Sequence, residues 1–190
     1  MTTTNRQIIT VLLPDRVGAL RDVTAVIVKL GGNIAGIRQT VVDGFFSLVF
    51  TSEHPAKVTS GEIRDELAVR LEPDAIISVQ PCQILAPAPP VVGARYVAMT
   101  RGPDRAGTIH AISAFFVEHG INIEDWQAEN EETDVIYTAQ IAIPETADFR
   151  MVQEAFRTRM HARGLSAAIC HENIFRATNE IGPIKELLGR

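Results

Sequence analysis

The sequence has few cysteines, no long apolar run and no apolar leader at its start. Its two cysteines, Cys82 and Cys170, lack the spacing of a metal site, so both are predicted to be reduced and to behave as small apolar residues. No apolar run approaches the roughly 18 residues of a membrane span, and residues 1–5 have no signal-peptide core. We therefore expect a cytoplasmic protein without a membrane segment.

The chain also lacks an excess of positive charge. Its net charge is -5 and its pI is about 5.5, whereas a general nucleic-acid binder usually carries a basic footprint. The five histidines are scattered, and no Ser/His/Asp or Cys/His set stands out. We expect no direct contact with nucleic acid, no metal, no cofactor and no catalysis.

What the sequence does contain is a long-period repeat. The segment Pro14-Asp15-Arg16-Val17-Gly18 returns 89 residues later as Pro103-Asp104-Arg105-Ala106-Gly107, and Asn33-Ile34 returns as Asn122-Ile123. Nine of the 21 positions from 14 to 34 are identical at this shift, without a gap. The period is far longer than a solenoid unit, so each copy is predicted to be a small domain.

The first copy predicts alternating strands and helices. A β-branched run, Gln7–Leu13, predicts a strand, and a helical repeat of apolar residues then ends at Gly31-Gly32. Asp43-Gly44 indicates a two-residue hairpin between strands, and Thr59 with Glu62 resembles a capping box that opens a second helix. The order is strand, helix, strand, strand, helix, strand, with the second strand at Asn33–Val42 and the last at Ala75–Leu85.

The second copy predicts the same order. Its elements are strand 95–100, helix 107–119, strands 122–129 and 134–143 around an acidic loop at 130–133, helix 148–163, and a strand from 165 to about 178. Proline-rich residues separate the copies. We predict domains at 1–86 and 95–180, a linker at 87–94 and a tail at 181–190. The fold class is α+β: two ferredoxin-like βαββαβ domains, with helices on one face of each antiparallel sheet.

The repeated loop and asparagine are candidate ligand contacts. Gly18 and Gly107 lie at helix N-termini, where free amides and the helix dipole favour a carboxylate. Asn33 and Asn122 offer both a donor and an acceptor, which together with the loop suits a small zwitterion. These residues also fit a structural role in turns and caps, which the physical chemistry of the loop alone favours. The loop and the asparagine lie close together only if the helix between them is short.

At these residues the chain resembles a known family. Leu13–Gly18, a helix and Gly31–Ile34 are similar to an ACT domain, and so are Gly102–Gly107, a helix and His119–Asp125. The resemblance covers nearly the whole chain as two tandem copies, an arrangement similar to the glycine cleavage system transcriptional repressor type. It implies a regulatory protein that senses a small ligand, commonly an amino acid, between two domains. It also implies a protein partner, and we expect a homodimer.

The resemblance also implies the site residues. In the first copy they are Asp15, Arg16, Val17, Gly18, Asn33 and Ile34, and in the second Asp104, Arg105, Ala106, Gly107, Asn122 and Ile123. The family often has proline where this chain has Val17 and Ala106. The second copy carries Glu124 and Asp125 where the first has Ala35 and Gly36, so the two sites need not bind the same ligand.

Three alternatives remain open from the sequence. An acylphosphatase-like enzyme of the same fold would use an Arg and an Asn, here Arg16 and Asn33, but the glycine-rich cradle is missing. An RNA-recognition module would stack bases on sheet aromatics such as Phe45 and Phe46, which better fit a core and a dimer face. A scaffold without a functioning ligand site is the third alternative.

Overall fold

The computed structural model describes residues 4–82 and 93–176, and the chain divides into two units, Met1–Leu85 and Ala86–Arg190. Most of the predicted linker and the whole predicted tail at 181–190 lie outside the described residues. Gly93 and Ala94, predicted to belong to the linker, instead open a strand and pair with Pro144 and Ile143. No helix in the described parts is long and apolar enough to cross a membrane.

The first unit, domain 1, is a four-stranded antiparallel sheet with two helices. Its elements are β1 (Thr4–Pro14), α1 (Ala19–Lys29), β2 (Asn33–Val42), β3 (Phe45–Pro55), α2 (Ser60–Arg70) and β4 (Ile76–Pro81). The strand order is β2-β3-β1-β4, the ferredoxin-like arrangement that the sequence predicts. Asp43 and Gly44 both have positive φ, 49° and 79°, which confirms the predicted two-residue hairpin.

The second unit, domain 2, repeats this topology. Its elements are β5 (Gly93–Pro103), α3 (Thr108–Glu118), β6 (Asn122–Glu131), β7 (Asp134–Pro144), α4 (Phe149–His161) and β8 (Ser166–His171), with strand order β6-β7-β5-β8. The α+β class with tandem ferredoxin-like domains is confirmed.

Two predicted bounds in domain 2 are wrong. The acidic segment 130–133 is not a four-residue loop, because Glu132 adopts a φ of 46° and the hairpin closes over two residues. The last strand does not reach Thr178, since it ends at His171 and a helical turn follows at 172–176. The amide of Asn173 donates a hydrogen bond to the His171 side chain, and Arg176 forms an ion pair with Glu172 one turn earlier. These two interactions are made within the turn itself.

Each domain has a single core between its helices and one face of its sheet. In domain 1, alternate residues of β1 (Ile9, Val11 and Leu13) pack against the apolar stripe of α1. The first helix of each domain, α1 or α3, ends in a Schellman motif. The amide of Gly31 donates to the carbonyl of Val28 in α1, and that of Gly120 to Val117 in α3. This motif turns the chain sharply from helix into β2 or β6.

Candidate functional site

The repeated loop is a tight turn that requires its glycine. In domain 1 the amide of Ala19 donates to the carbonyl of Arg16 (N···O 3.3 Å), and Gly18 between them has φ 90° and ψ 0°. The second loop is the same, with a 3.1 Å bond from Thr108 to Arg105 and φ 83° at Gly107. Side chains other than hydrogen are strained at such φ values. The turn therefore explains the glycines structurally, and it uses the first amide of each helix, at Ala19 and Thr108.

The loop and the asparagine of one domain lie at opposite ends of its sheet. The loop follows Pro14, which pairs with Phe45, whereas Asn33 pairs with Glu53 at the far end of β3. The 11 residues of α1 between them span about 16 Å. Domain 2 has the same separation, because Pro103 pairs with Asp134 and Asn122 with Ala142. A small ligand therefore cannot contact the loop and the asparagine of the same domain.

The remaining predicted site residues differ in exposure. Val17 and Ala106 are exposed at the turns, and Asn33 and Asn122 are exposed at the strand starts. Ile34 and Ile123 are half-buried and pack against the hydrophobic cores. The surface groups that can meet a ligand are therefore the loop residues and the asparagine side chains.

In domain 1 the loop arginine is neutralised by carboxylates. Arg16 Nη1 lies 2.9 Å from Asp22 Oδ2, and its Nε donates to Glu72 at the end of α2. Asp22 also accepts from Arg70 (2.7 Å) and Arg21 (3.0 Å), and its carboxylate is only 8% exposed. Donation from Arg70, then Arg21 and Arg16, holds the pKa of Asp22 well below its usual range. This network uses the donors of Arg16 inside the domain.

Domain 2 keeps the arginine but lacks this network. Ala111 stands where domain 1 has Asp22, and Arg105 Nη1 instead donates to the backbone carbonyl of Arg163 (3.2 Å). Within residues 4–82 and 93–176, the exposed Arg105 has no carboxylate partner. A β-carbon built on Gly107 would lie 4.0 Å from Arg163 Nη2, so a second guanidinium borders the same turn.

The aspartate of the second loop is held by a buried tyrosine. Tyr137 donates its hydroxyl to Asp104 Oδ1 at 3.4 Å, and burial followed by the charge of Asp104 raises the pKa of Tyr137. Domain 1 has Leu48 at the position of Tyr137, and the amide of Asp15 donates to the Gly44 carbonyl (2.7 Å).

These neighbours were missed by the sequence analysis. The residue of domain 2 that corresponds to Asp22 at the 89-residue shift is Ala111, so the sequence alone indicates that domain 2 lacks this carboxylate. Arg163 and Glu72 follow helices of different length, so only the folded structure brings them to the loops. In chemical terms, the second loop offers guanidinium donors and first-turn amides to an anion.

No group of three or more potential metal ligands (His, Cys, Asp, Glu) comes together in the described part of the chain.

Comparisons with known proteins agree with this architecture. Residues 7–68 match the ACT domain family model. The UPF0237 proteins of Methanosarcina mazei and Methanosarcina acetivorans are each 40% identical over 53 residues, or 28% of this chain. The chain spans 58% of the length of these curated relatives.

Two solved structures share the fold over both domains. A protein of unknown function from Galdieria sulphuraria has a TM-score of 0.74 at 21% identity, with 89% of this chain and 99% of that chain covered. A protein described as a glycine cleavage system transcriptional repressor has a TM-score of 0.60 at 16% identity, with 88% and 96% covered. Residues 7–68, which make up most of domain 1, are therefore similar to an ACT domain, domain 2 repeats the fold of domain 1, and the two-domain fold is shared with both solved structures.

Proposed function

We propose that this protein is a non-catalytic regulator that senses a small carboxylate ligand, an amino acid, and passes the signal on by contact with a protein partner. The ACT match of domain 1 supports a ligand-sensing regulatory role. We further propose that the protein acts in the cytoplasm. Through its partner it would control amino-acid metabolism or transcription. The repressor with the same two-domain fold supports this extension.

The observation that carries the proposal is the difference between the two loop arginines. Arg16 already donates to Asp22 and Glu72, whereas Arg105 donates only to a backbone carbonyl. A guanidinium with unused donors beside free helix amides binds a carboxylate by charge-assisted hydrogen bonds. We infer that the second loop binds the ligand carboxylate and that the first loop serves the stability of domain 1.

The ammonium end of the ligand requires an acceptor, which the distant asparagine of the same domain cannot supply. An exposed Asn33 or Asn122 from an adjoining domain offers a side-chain carbonyl for the ammonium group and an amide for the carboxylate. The site is thus completed when two domains meet, so ligand binding and domain pairing are thermodynamically coupled.

The test is calorimetric titration of the full chain with those of the twenty amino acids that raise its melting temperature. Arg105→Ala is expected to weaken binding about tenfold or more, because it removes hydrogen bonds to a charged group. Arg16→Ala is the matched control and is expected to leave the affinity within about twofold. Ala111→Asp supplies domain 2 with the carboxylate of domain 1 and is expected to mimic Arg105→Ala.

Binding that survives Arg105→Ala but is lost in Arg16→Ala would contradict the assignment of the ligand to the second loop. If no amino acid binds the wild-type chain, the scaffold alternative is preferred, in which the two domains present only a protein-binding surface.

A further inference from the structure

The two helices of domain 2 are separated by an open groove. The groove has a volume of about 820 Å³ between α3 and α4, with Phe115 and His119 on the α3 side. Phe115 and Phe116 of α3 pack against Phe156 of α4, with ring centroids 5.1 and 5.2 Å apart. Domain 1 has smaller residues at these three positions: Val26, Ile27 and Leu67. Because the distance between packed helices depends on the side chains between them, the aromatic core holds α3 and α4 farther apart than α1 and α2.

A line of exposed residues along α4 forms the other side of the groove. It consists of Met151, Ala155, Thr158 and Ala162, at successive intervals of four, three and four residues. Met151 is 71% exposed. This spacing is that of the seam by which one helix packs on another, and the small side chains allow a second backbone to approach closely. The line extends about 16 Å along the helix, or three turns.

Domain 1 has charged residues where this line begins. At the 89-residue shift, Met151 and Ala155 correspond to Glu62 and Glu66. Glu66 forms an ion pair with Lys29 of α1 (2.6 Å), which ties the two helices of domain 1 together. The same backbone therefore accepts carboxylates at these positions, and the fold does not require the apolar residues of α4.

The groove lies on a basic helix in an acidic chain. The helix α4 carries three arginines and one glutamate, whereas α2 carries two arginines and three carboxylates, and the whole chain has a net charge of -5. Glu154 pairs with Arg157 (2.8 Å), and Arg159 pairs with Glu118 (2.6 Å). Arg150 lines the groove at its first turn and has no carboxylate partner in the described part of the chain. Apolar residues together with carboxylates therefore complement this surface.

The end of α4 also contacts the second loop. Arg105 donates to the backbone carbonyl of Arg163, directly after the C-cap of α4. A ligand carboxylate that engages the donors of Arg105 competes with this hydrogen bond. Binding at the loop is therefore felt at the helix that carries the groove, which suits α4 to pass a signal to a protein partner.

We propose that the groove between α3 and α4 binds an amphipathic helix of a protein partner, with the apolar stripe of that helix in the groove and its carboxylates near Arg150. Helices bind in apolar grooves through residues spaced three and four apart. A second copy of α4 is a poorer occupant, because its arginines would face those of the groove. The inference rests on the proposed function only for the existence of a protein partner, and it adds the surface and the chemistry of that partner.

The test is a phage-display selection of helical peptides on the ligand-free full chain. The peptides have about 18 residues, or five helical turns. They carry leucine or alanine at intervals of three and four, and glutamate, lysine or glutamine at the flanking positions. The selected peptides are expected to contain more glutamate than lysine, because carboxylates complement the arginines of α4. A synthetic copy of one selected peptide is then titrated by fluorescence anisotropy.

The double variant Met151→Glu, Ala155→Glu carries the residues of domain 1 and is expected to bind this peptide about tenfold more weakly or worse, because like charges oppose association. The matched control Val28→Glu, Val69→Glu adds the same charges to exposed helix positions of domain 1 and is expected to bind like wild type. Arg150→Glu is expected to weaken binding and its salt dependence, and it replaces the double variant if that does not fold. Circular dichroism and thermal melting check the folding of each variant.

Several outcomes would overturn the proposal. They are the selection of no peptide, the selection of lysine-rich peptides, and peptides that bind the double variant as tightly as wild type. Self-association of wild type that the double variant abolishes would assign the groove to a second copy. Tighter peptide binding after truncation at Arg176 would assign it to residues 177–190. A DNA duplex that binds wild type but not Arg150→Glu would assign α4 to nucleic acid. The test uses no amino acid, so its failure leaves the ligand titrations unaffected.

Discussion

The two domains share a backbone but differ at one end of their cores. Domain 1 buries Gln7, Ser52 and His54 next to Gly32, whereas domain 2 has Tyr96, Ile141, Ile143 and Ile121 at the same four positions. In domain 1 Gln7 pairs with Ser52 across the strands, Ser52 bonds to His54, and the His54 ring lies against Gly32, so the four residues form one polar cluster. The comparison shows that the same fold accepts either a polar or a largely apolar cluster near the asparagine that begins β2 or β6.

The polar cluster is only partly satisfied. Ser52 Oγ lies 2.9 Å from His54 Nε2, and Ser60 Oγ donates to Gln7 Oε1 at 2.8 Å. Gln7 Nε2 and His54 Nδ1 are buried and have no hydrogen-bond partner in the described structure. His54 itself is only 1% exposed. Burying polar groups in this way costs stability, which the apolar counterpart in domain 2 avoids.

The largest loss of stability is expected at Gly32, because domain 1 has no room for a side chain at this position, whereas domain 2 has Ile121 there. A β-carbon built on Gly32 would lie 2.3 Å from His54 Cε1. Gly32→Ala is therefore expected to destabilise domain 1 by about 1–3 kcal/mol, the usual cost of overpacking. The free energy of unfolding is measured by amide hydrogen exchange, which reports on each domain separately.

Two variants control for the backbone at Gly32. Gly36→Ala, where the nearest atom to the new carbon is 3.6 Å away, is expected to be tolerated. Adding His54→Ala to Gly32→Ala is expected to recover part of the loss. A Gly32→Ala protein as stable as wild type would show that the ring is not confined as described.

The next effect concerns pH, because only domain 1 has a histidine in this cluster. Burial lowers the pKa of His54, although a contact with the Leu30 backbone acts in the opposite direction. The folded state then binds fewer protons than the unfolded state, so this contribution to stability is complete above pH 6.5 and is lost as the pH falls below it.

Hydrogen exchange at pH 7.5 and pH 5.5 checks this prediction. Domain 1 is expected to lose stability at the lower pH, and His54→Gln is expected to reduce that loss. The matched control is His161→Gln, an exposed histidine of domain 2, which is expected to leave the pH dependence of domain 1 unchanged. An unchanged pH dependence in His54→Gln would rule out this residue as the cause.

The smallest effect is expected at the helix caps, where the two domains are alike. At the start of α2 the Thr59 side chain accepts a hydrogen bond from the amide of Glu62 (3.2 Å). At the start of α4 the Asp148 side chain accepts one from the amide of Arg150 (2.9 Å). Thr59→Ala and Asp148→Ala are each expected to cost about 1 kcal/mol. Each loss is expected only in the domain that carries the change, and a Thr59→Ala effect on domain 2 would contradict this separation.

Local features were predicted well from the sequence because neighbouring residues determine them. Asp43-Gly44 forms the predicted hairpin, and Thr59 and Glu62 form the predicted capping box. The prediction of a loop at 130–133 is wrong, because strand pairing extends β6 to Glu131 despite its polar residues. Such pairing across strands has no local sequence signal.

By itself the sequence determined the duplication, the element order and the glycine turns, because these depend on short-range chemistry repeated at one spacing. Only the tertiary structure decided which groups the turns meet. It placed Asn33 and the Arg16 loop at opposite ends of a domain and brought Glu72 to Arg16. It also packed Phe115 and Phe116 against Phe156 between α3 and α4. Arg16 and Glu72 are 56 positions apart in the chain, and strand register and helix length bring such residues together.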